Sequence, residues 1–118
     1  MTVRTEDFQE LVGEDLSGVT FVRGYLQFQF NPPPMLNAYT PVTVLCNNAS
    51  ATFGEAAFPN LVLGQLDKFV HAVELRPNEA LDITFADGSL VSVSLRPEHH
   101  VCAEAINLFR KNREMIVL

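Results

Sequence analysis

The chain has 118 residues, nearly half of them apolar, no tryptophan and a formal net charge of −6. That length suits one domain around a single core, and the acidic balance excludes the clustered Lys and Arg that hold a nucleic-acid backbone. No run is apolar enough to span a bilayer, and the opening Met1-Thr-Val-Arg-Thr-Glu-Asp lacks a signal-peptide core, so the expected location is the cytoplasm, with neither nucleic-acid nor membrane partners. In that compartment Cys46 and Cys102 read as reduced, buried thiols rather than a disulfide.

The first expected element is a short helix. Thr5 is placed to cap it, Glu6 and Asp7 favour the positive end of its dipole, Phe8, Leu11 and Val12 form its apolar stripe, and Gly13 ends it. Leu16, Val19 and Phe21 begin a strand. In Tyr25-Leu-Gln-Phe-Gln-Phe30 the residues Leu26, Phe28 and Phe30 share one face and the glutamines the other. Asn31-Pro-Pro-Pro34 lacks a backbone donor at every proline and must be a connection. A returning strand is expected over Met35 to Tyr39. Val42 to Cys46 and Ala49 to Phe53 then flank Asn47-Asn48 as a second hairpin.

The pattern then restarts. Phe8, Leu11 and Gly13 are echoed by Phe58, Leu61 and Gly64; Leu16, Val19 and Phe21 by Val70, Val73 and Leu75; Leu26, Phe28 and Phe30 by Leu81, Ile83 and Phe85. From Ala80 to Leu95 the register can be read directly. A two-residue turn would set Ile83 and Leu81 opposite serines. A three-residue loop of Ala86, Asp87 and Gly88 pairs Ile83 with Val91 and Leu81 with Val93, leaving one face wholly apolar. Gly88 can take the left-handed conformation that this loop needs.

The last expected element is a helix over 97–111, with Val101, Cys102, Ala105, Ile106, Leu108 and Phe109 on one arc. The apolar tail Met115 to Leu118 then pairs with a sheet edge or docks on another subunit. The expected fold is therefore α+β in a single domain, 1–118: a mostly antiparallel twisted sheet or flattened barrel. Two similar halves, approximately 5–46 and 58–96, bury their apolar faces together beside short helices and the C-terminal helix.

Motifs for chemistry are sparse. His99, His100 and Cys102 are the only metal-ligand cluster, but neighbours on a helix diverge by roughly a hundred degrees. The pairs His99 with Cys102 and His100 with Glu104 each supply two ligands, fewer than zinc takes. No GxSxG, GxGxxG or Walker loop is present. Glu6, Asp7, Glu10, Glu14 and Asp15 read as a solvated helix surface. Tyr25 and Tyr39 project from the face opposite Phe28 and Phe30, beside Gln27, Gln29 and Asn37, and tyrosine is favoured at protein interfaces.

A helix ending Leu11-Val12-Gly13, an apolar strand, Leu26-x-Phe28-x-Phe30, and later Phe85-x-Asp87-Gly88 followed by Leu95-Arg-Pro-Glu98 together resemble small uncharacterised bacterial domains. The resemblance implies no catalytic residues, and by association it implies an adaptor or immunity-like partner role. The Pro32-Pro33-Pro34 insertion departs from the pattern.

The functional expectation is a non-enzymatic protein-interaction domain without cofactor or metal, binding an unknown protein partner or itself as a homodimer. Its expected surface is Tyr25, Gln27, Gln29 and Tyr39, with Met115, Ile116 and Leu118. The alternative is a small-molecule, metal-binding or degenerate enzyme site near His99, His100 and Cys102.

Overall fold

Period-two alternation dominates the chain, and in the computed structural model, which describes residues 2–118, it yields ten strands in two five-stranded antiparallel sheets. The strands are β1 (Gly18–Val22), β2 (Tyr25–Gln29), β3 (Met35–Ala38), β4 (Val42–Cys46), β5 (Ala49–Thr52), β6 (Val70–Arg76), β7 (Ala80–Phe85), β8 (Leu90–Ser94), β9 (Ile106–Phe109) and β10 (Met115–Val117). One α-helix, α1 (Phe58–Leu63), and two 3-10 helices, Thr5–Leu11 and Pro97–His99, complete the described elements. The strands thus divide between two sheets instead of forming the one sheet or flattened barrel expected.

The first sheet runs β1-β2-β3-β9-β10 and the second β5-β4-β8-β7-β6. Each is a three-strand meander completed by a hairpin from elsewhere in the chain: β9–β10 joins β3, and β4–β5 joins β8. The pairings correspond position by position. Leu26, Phe28 and Gln29 face Ala38, Leu36 and Met35, just as Leu81, Ile83 and Thr84 face Val93, Val91 and Leu90. Across the joins, Leu36 faces Leu108 and Asn37 faces Asn107, as Val91 faces Val44 and Ser92 faces Thr43. The segments leading into β1 and β6 also pair with each other, through an Asp15–Phe69 bridge flanked by Gly13 N–H to Val70 O (2.8 Å) and Leu16 N–H to Lys68 O (3.0 Å).

Turn chemistry matches the sequence. Ile83 faces Val91 and Leu81 faces Val93, and Gly88, at φ +89°, closes the three-residue loop with Gly88 N–H bonded to Phe85 O at 2.9 Å. Between β4 and β5, Asn47 and Asn48 both take positive φ (51° and 66°), the type I′ geometry that follows the strand twist.

One core serves both sheets. Leu26, Phe28, Phe30, Leu36, Ile106 and Leu108 lie in the same buried cluster as Val44, Leu81, Ile83, Phe85, Val91 and Val93. A sheet with one apolar face must cover it, and here each covers the other. The helices supply plugs: Phe8 and Leu11 from the first 3-10 helix, Phe58 and Val62 from α1. Thr5 caps nothing. Its Oγ1 accepts the Leu75 N–H (3.0 Å), while Asp7 closes the first turn by accepting the Arg4 N–H (2.8 Å).

The expected C-terminal helix over 97–111 is absent. Pro97–His99 is a single 3-10 turn, and Ile106–Phe109 is a strand. The apolar arc fails at its start, because Val101 is 81% exposed and Cys102 is also exposed, whereas Ala105, Ile106 and Leu108 are fully buried. Pairing with β3 satisfies a row of backbone groups that a helix would have left open on that edge. The tail then adds β10 to β9, with Met115 opposite Phe109 and Ile116 opposite Leu108.

Candidate functional site

In both sheets alternation sends every second side chain outward. On the first sheet the outward positions are Gly18, Thr20 and Val22 on β1; Tyr25, Gln27 and Gln29 on β2; Met35 and Asn37 on β3, with Tyr39 just beyond; Asn107 and Phe109 on β9; and Met115 and Val117 on β10. None of these carries a charge. Of the expected surface residues, Tyr25, Gln27, Gln29, Tyr39 and Met115 therefore share one face. Ile116 and Leu118 do not: both pack against the core.

The face is held by amides. Gln29 Nε2 donates to Gln27 Oε1 (2.9 Å) and to Thr20 Oγ1 (3.1 Å), and Gln27 Nε2 donates to Asn37 Oδ1 (3.1 Å). Asn107 Nδ2 donates to the Tyr39 hydroxyl (3.1 Å), and the Tyr39 ring lies 5.1 Å from that of Tyr25. Asn37 and Asn107 are buried, and Asn107 Oδ1 is without a hydrogen-bond partner among the described residues. Beside this amide ladder lies an apolar margin: Phe109, Met115 and Val117 are 38%, 50% and 40% exposed. Asn107, Phe109 and Val117 were missed in the sequence. Assigning Ile106–Phe109 to a helix concealed its alternation, which was the available signal.

The histidine–cysteine cluster is dispersed. His99 Nδ1 is hydrogen-bonded to Ser94 Oγ (2.6 Å), and Cys102 Sγ donates to Glu104 O (3.1 Å). His100, half-buried, instead borders an apolar cleft of about 370 Å³ lined by Val3, Leu75, Leu95, Ala105 and Leu118. The pairing of His99 with a buried Cys102 fails because no helix spans them. Among the described residues no group of three His, Cys, Asp or Glu converges. Both cysteines are free, and Cys46 is half-buried.

A second polar cluster went unread in the sequence, since its members come from three segments. Lys68 Nζ pairs with Asp87 (2.7 Å) and also reaches Gln65 Oε1 (3.0 Å), Ser89 Oγ (3.3 Å) and Cys46 Sγ (3.7 Å). Hydrogen bonds from Lys68 and from Ser89 hold the Asp87 carboxyl well below the usual carboxylate range. The Ser89 hydroxyl sits among several of these groups. That hydroxyl is itself committed to Gln65 Oε1 (2.6 Å) and Asp87 Oδ1 (2.5 Å). The cluster therefore fastens the β7–β8 turn to the segment after α1 and does not form a nucleophile–base pair.

Compared with protein-family models, curated proteins and solved structures, the chain matches none. Its chemistry must be read from its own surface. An uncharged face of amides, tyrosines and partly exposed apolar side chains can bury area and exchange hydrogen bonds, and its outward strand positions hold no carboxylate, histidine, cysteine, lysine or arginine. No helix among the described residues is long and apolar enough to cross a membrane.

Proposed function

We propose that this chain is a non-enzymatic protein-binding domain that docks through the outer face of its first sheet. The supporting observation is the absence of charge over all outward strand positions of that sheet, in a chain of net charge −6. Charged residues are depleted at the centres of interfaces while tyrosine, phenylalanine and methionine are enriched there, and this face holds Tyr25, Tyr39, Phe109, Met35 and Met115. The alternative near His99, His100 and Cys102 has less support, since their side chains engage separate neighbours.

The test compares matched positions on the two sheets. A benzophenone photocrosslinker at Gln29 should capture protein on irradiation of cells, whereas one at Thr84, its counterpart in the second sheet, should not. Equal or absent capture at the two positions would refute the docking face.

A further inference from the structure

We infer that the occupant of this face is a second copy of the chain, docked face to face about a twofold axis; the inference rests on the docking reading above. Two copies of an acidic protein repel wherever carboxylates meet, and the outward positions of the first sheet let them approach without opposing a charge. A basic heterologous partner would find no carboxylate there to pair with. A twofold contact sets the same patch against itself, so its central side chains must complement their own kind. Ions cannot do so. Gln27, Gln29 and the tyrosine hydroxyls can, because each both donates and accepts.

Size bounds the contact. Five strands about 4.8 Å apart and three to five residues long at about 3.4 Å each span on the order of 300–400 Å² in projection. Side-chain relief raises the buried area toward, but not beyond, the roughly 800 Å² per partner of a standard interface. Area by itself does not fix affinity, and a contact of this modest size is proposed as a reversible dimer, with a dissociation constant on the order of 10–100 μM.

Sedimentation velocity on the full chain tests this. The weight-average mass should climb from one chain toward two across about 5–500 μM. Gln27→Glu and Gln27→Lys, near the centre of the face, should each weaken association at least about tenfold, and an equimolar mixture of the two should restore it by pairing opposite charges across the axis. Met115→Glu, at a half-exposed position without side-chain hydrogen bonds, should weaken association while leaving the melting temperature unchanged, which separates lost docking from lost folding. A single-chain mass up to about 1 mM, or a dimer insensitive to all three substitutions, would overturn the inference. If the chain is monomeric yet Gln29 still captures other proteins, the second copy is excluded and the docking face stands; if Gln29 captures nothing, both fall.

Discussion

The outer faces of the two sheets have matching registers and opposite chemistry. Across the middle of the first sheet run Thr20, Gln27, Asn37, Asn107 and Val117; the corresponding row of the second is Glu74, Asp82, Ser92, Thr43 and Thr52. In the second, Asp82 binds Arg76 Nε (2.9 Å) and Ser92 Oγ (2.7 Å), while Thr43 and Thr52 bond each other. That face is one of ions and hydroxyls. The first is one of amides and rings, with a buried acceptor unpaired among the described residues. The same backbone scaffold therefore leaves surface chemistry free, and a fold alone does not assign a function.

The comparison requires that both sheets stand on one core, so equivalent core truncations should have the same effect. Phe28→Ala and Ile83→Ala, at matched and fully buried positions, should remove about 3–5 and about 2–5 kcal/mol respectively in urea unfolding, with one transition for the whole chain. Two separable transitions, or loss confined to one sheet, would break the equivalence. Next comes the turn that sets the second sheet's register. Gly88→Val, at φ +89°, should cost about 1–2 kcal/mol. By contrast Gly18→Ala, whose new methyl would meet the end of the Gln29 side chain first, should displace the Gln29 amide from its bonds to Thr20 and Gln27, at a cost of about 0.5–1.5 kcal/mol, visible in its side-chain NMR resonances.

Acid should distinguish the ionic fastenings from the uncharged face. The folded Asp87 carboxyl titrates below its unfolded value of about 4, so its contribution is complete above that pH and is lost as pH falls through the folded value. Unfolding midpoints should drop below about pH 4, and Asp87→Asn should flatten that drop while lowering stability at neutral pH. Glu14, held down chiefly by its hydrogen bond with Lys111, leaves a residual slope of the same sign. An unchanged acid profile in Asp87→Asn would remove the Lys68–Asp87 pair from this account. The smallest effect concerns the outer rows. Gln27→Ala should cost about 0.5–1.5 kcal/mol irrespective of salt, whereas the loss from Asp82→Ala should shrink near 1 M salt, where the Arg76 pair is screened.

Local pattern carried the reading furthest wherever one residue type decides a conformation. Gly88, the Asn47–Asn48 pair and the alternation of Leu81, Ile83 and Phe85 each disclosed a turn or register, because sterics and burial leave little choice there. The reading failed over Ile106–Phe109, where short apolar runs fit both periods and only the open edge of β3 selects the strand. Part of the candidate face was legible as Tyr25, Gln27, Gln29, Tyr39 and Met115. Asn107, Phe109 and Val117 were not, since they reach that face through a pairing between residues 35–38 and 106–109.

The amino-acid order by itself determined which residues turn inward along the strands before residue 97, where the chain reverses at Asn47–Asn48 and Gly88, and that the apolar faces must be buried together; these follow from side-chain alternation and backbone sterics acting over a few neighbours. Tertiary structure alone decided that there are two sheets, that each is completed by a distant hairpin, and that one outer face gathers no charge. Such outcomes depend on which open strand edges meet, and hydrogen-bonding edges are chemically alike until the whole chain competes for them.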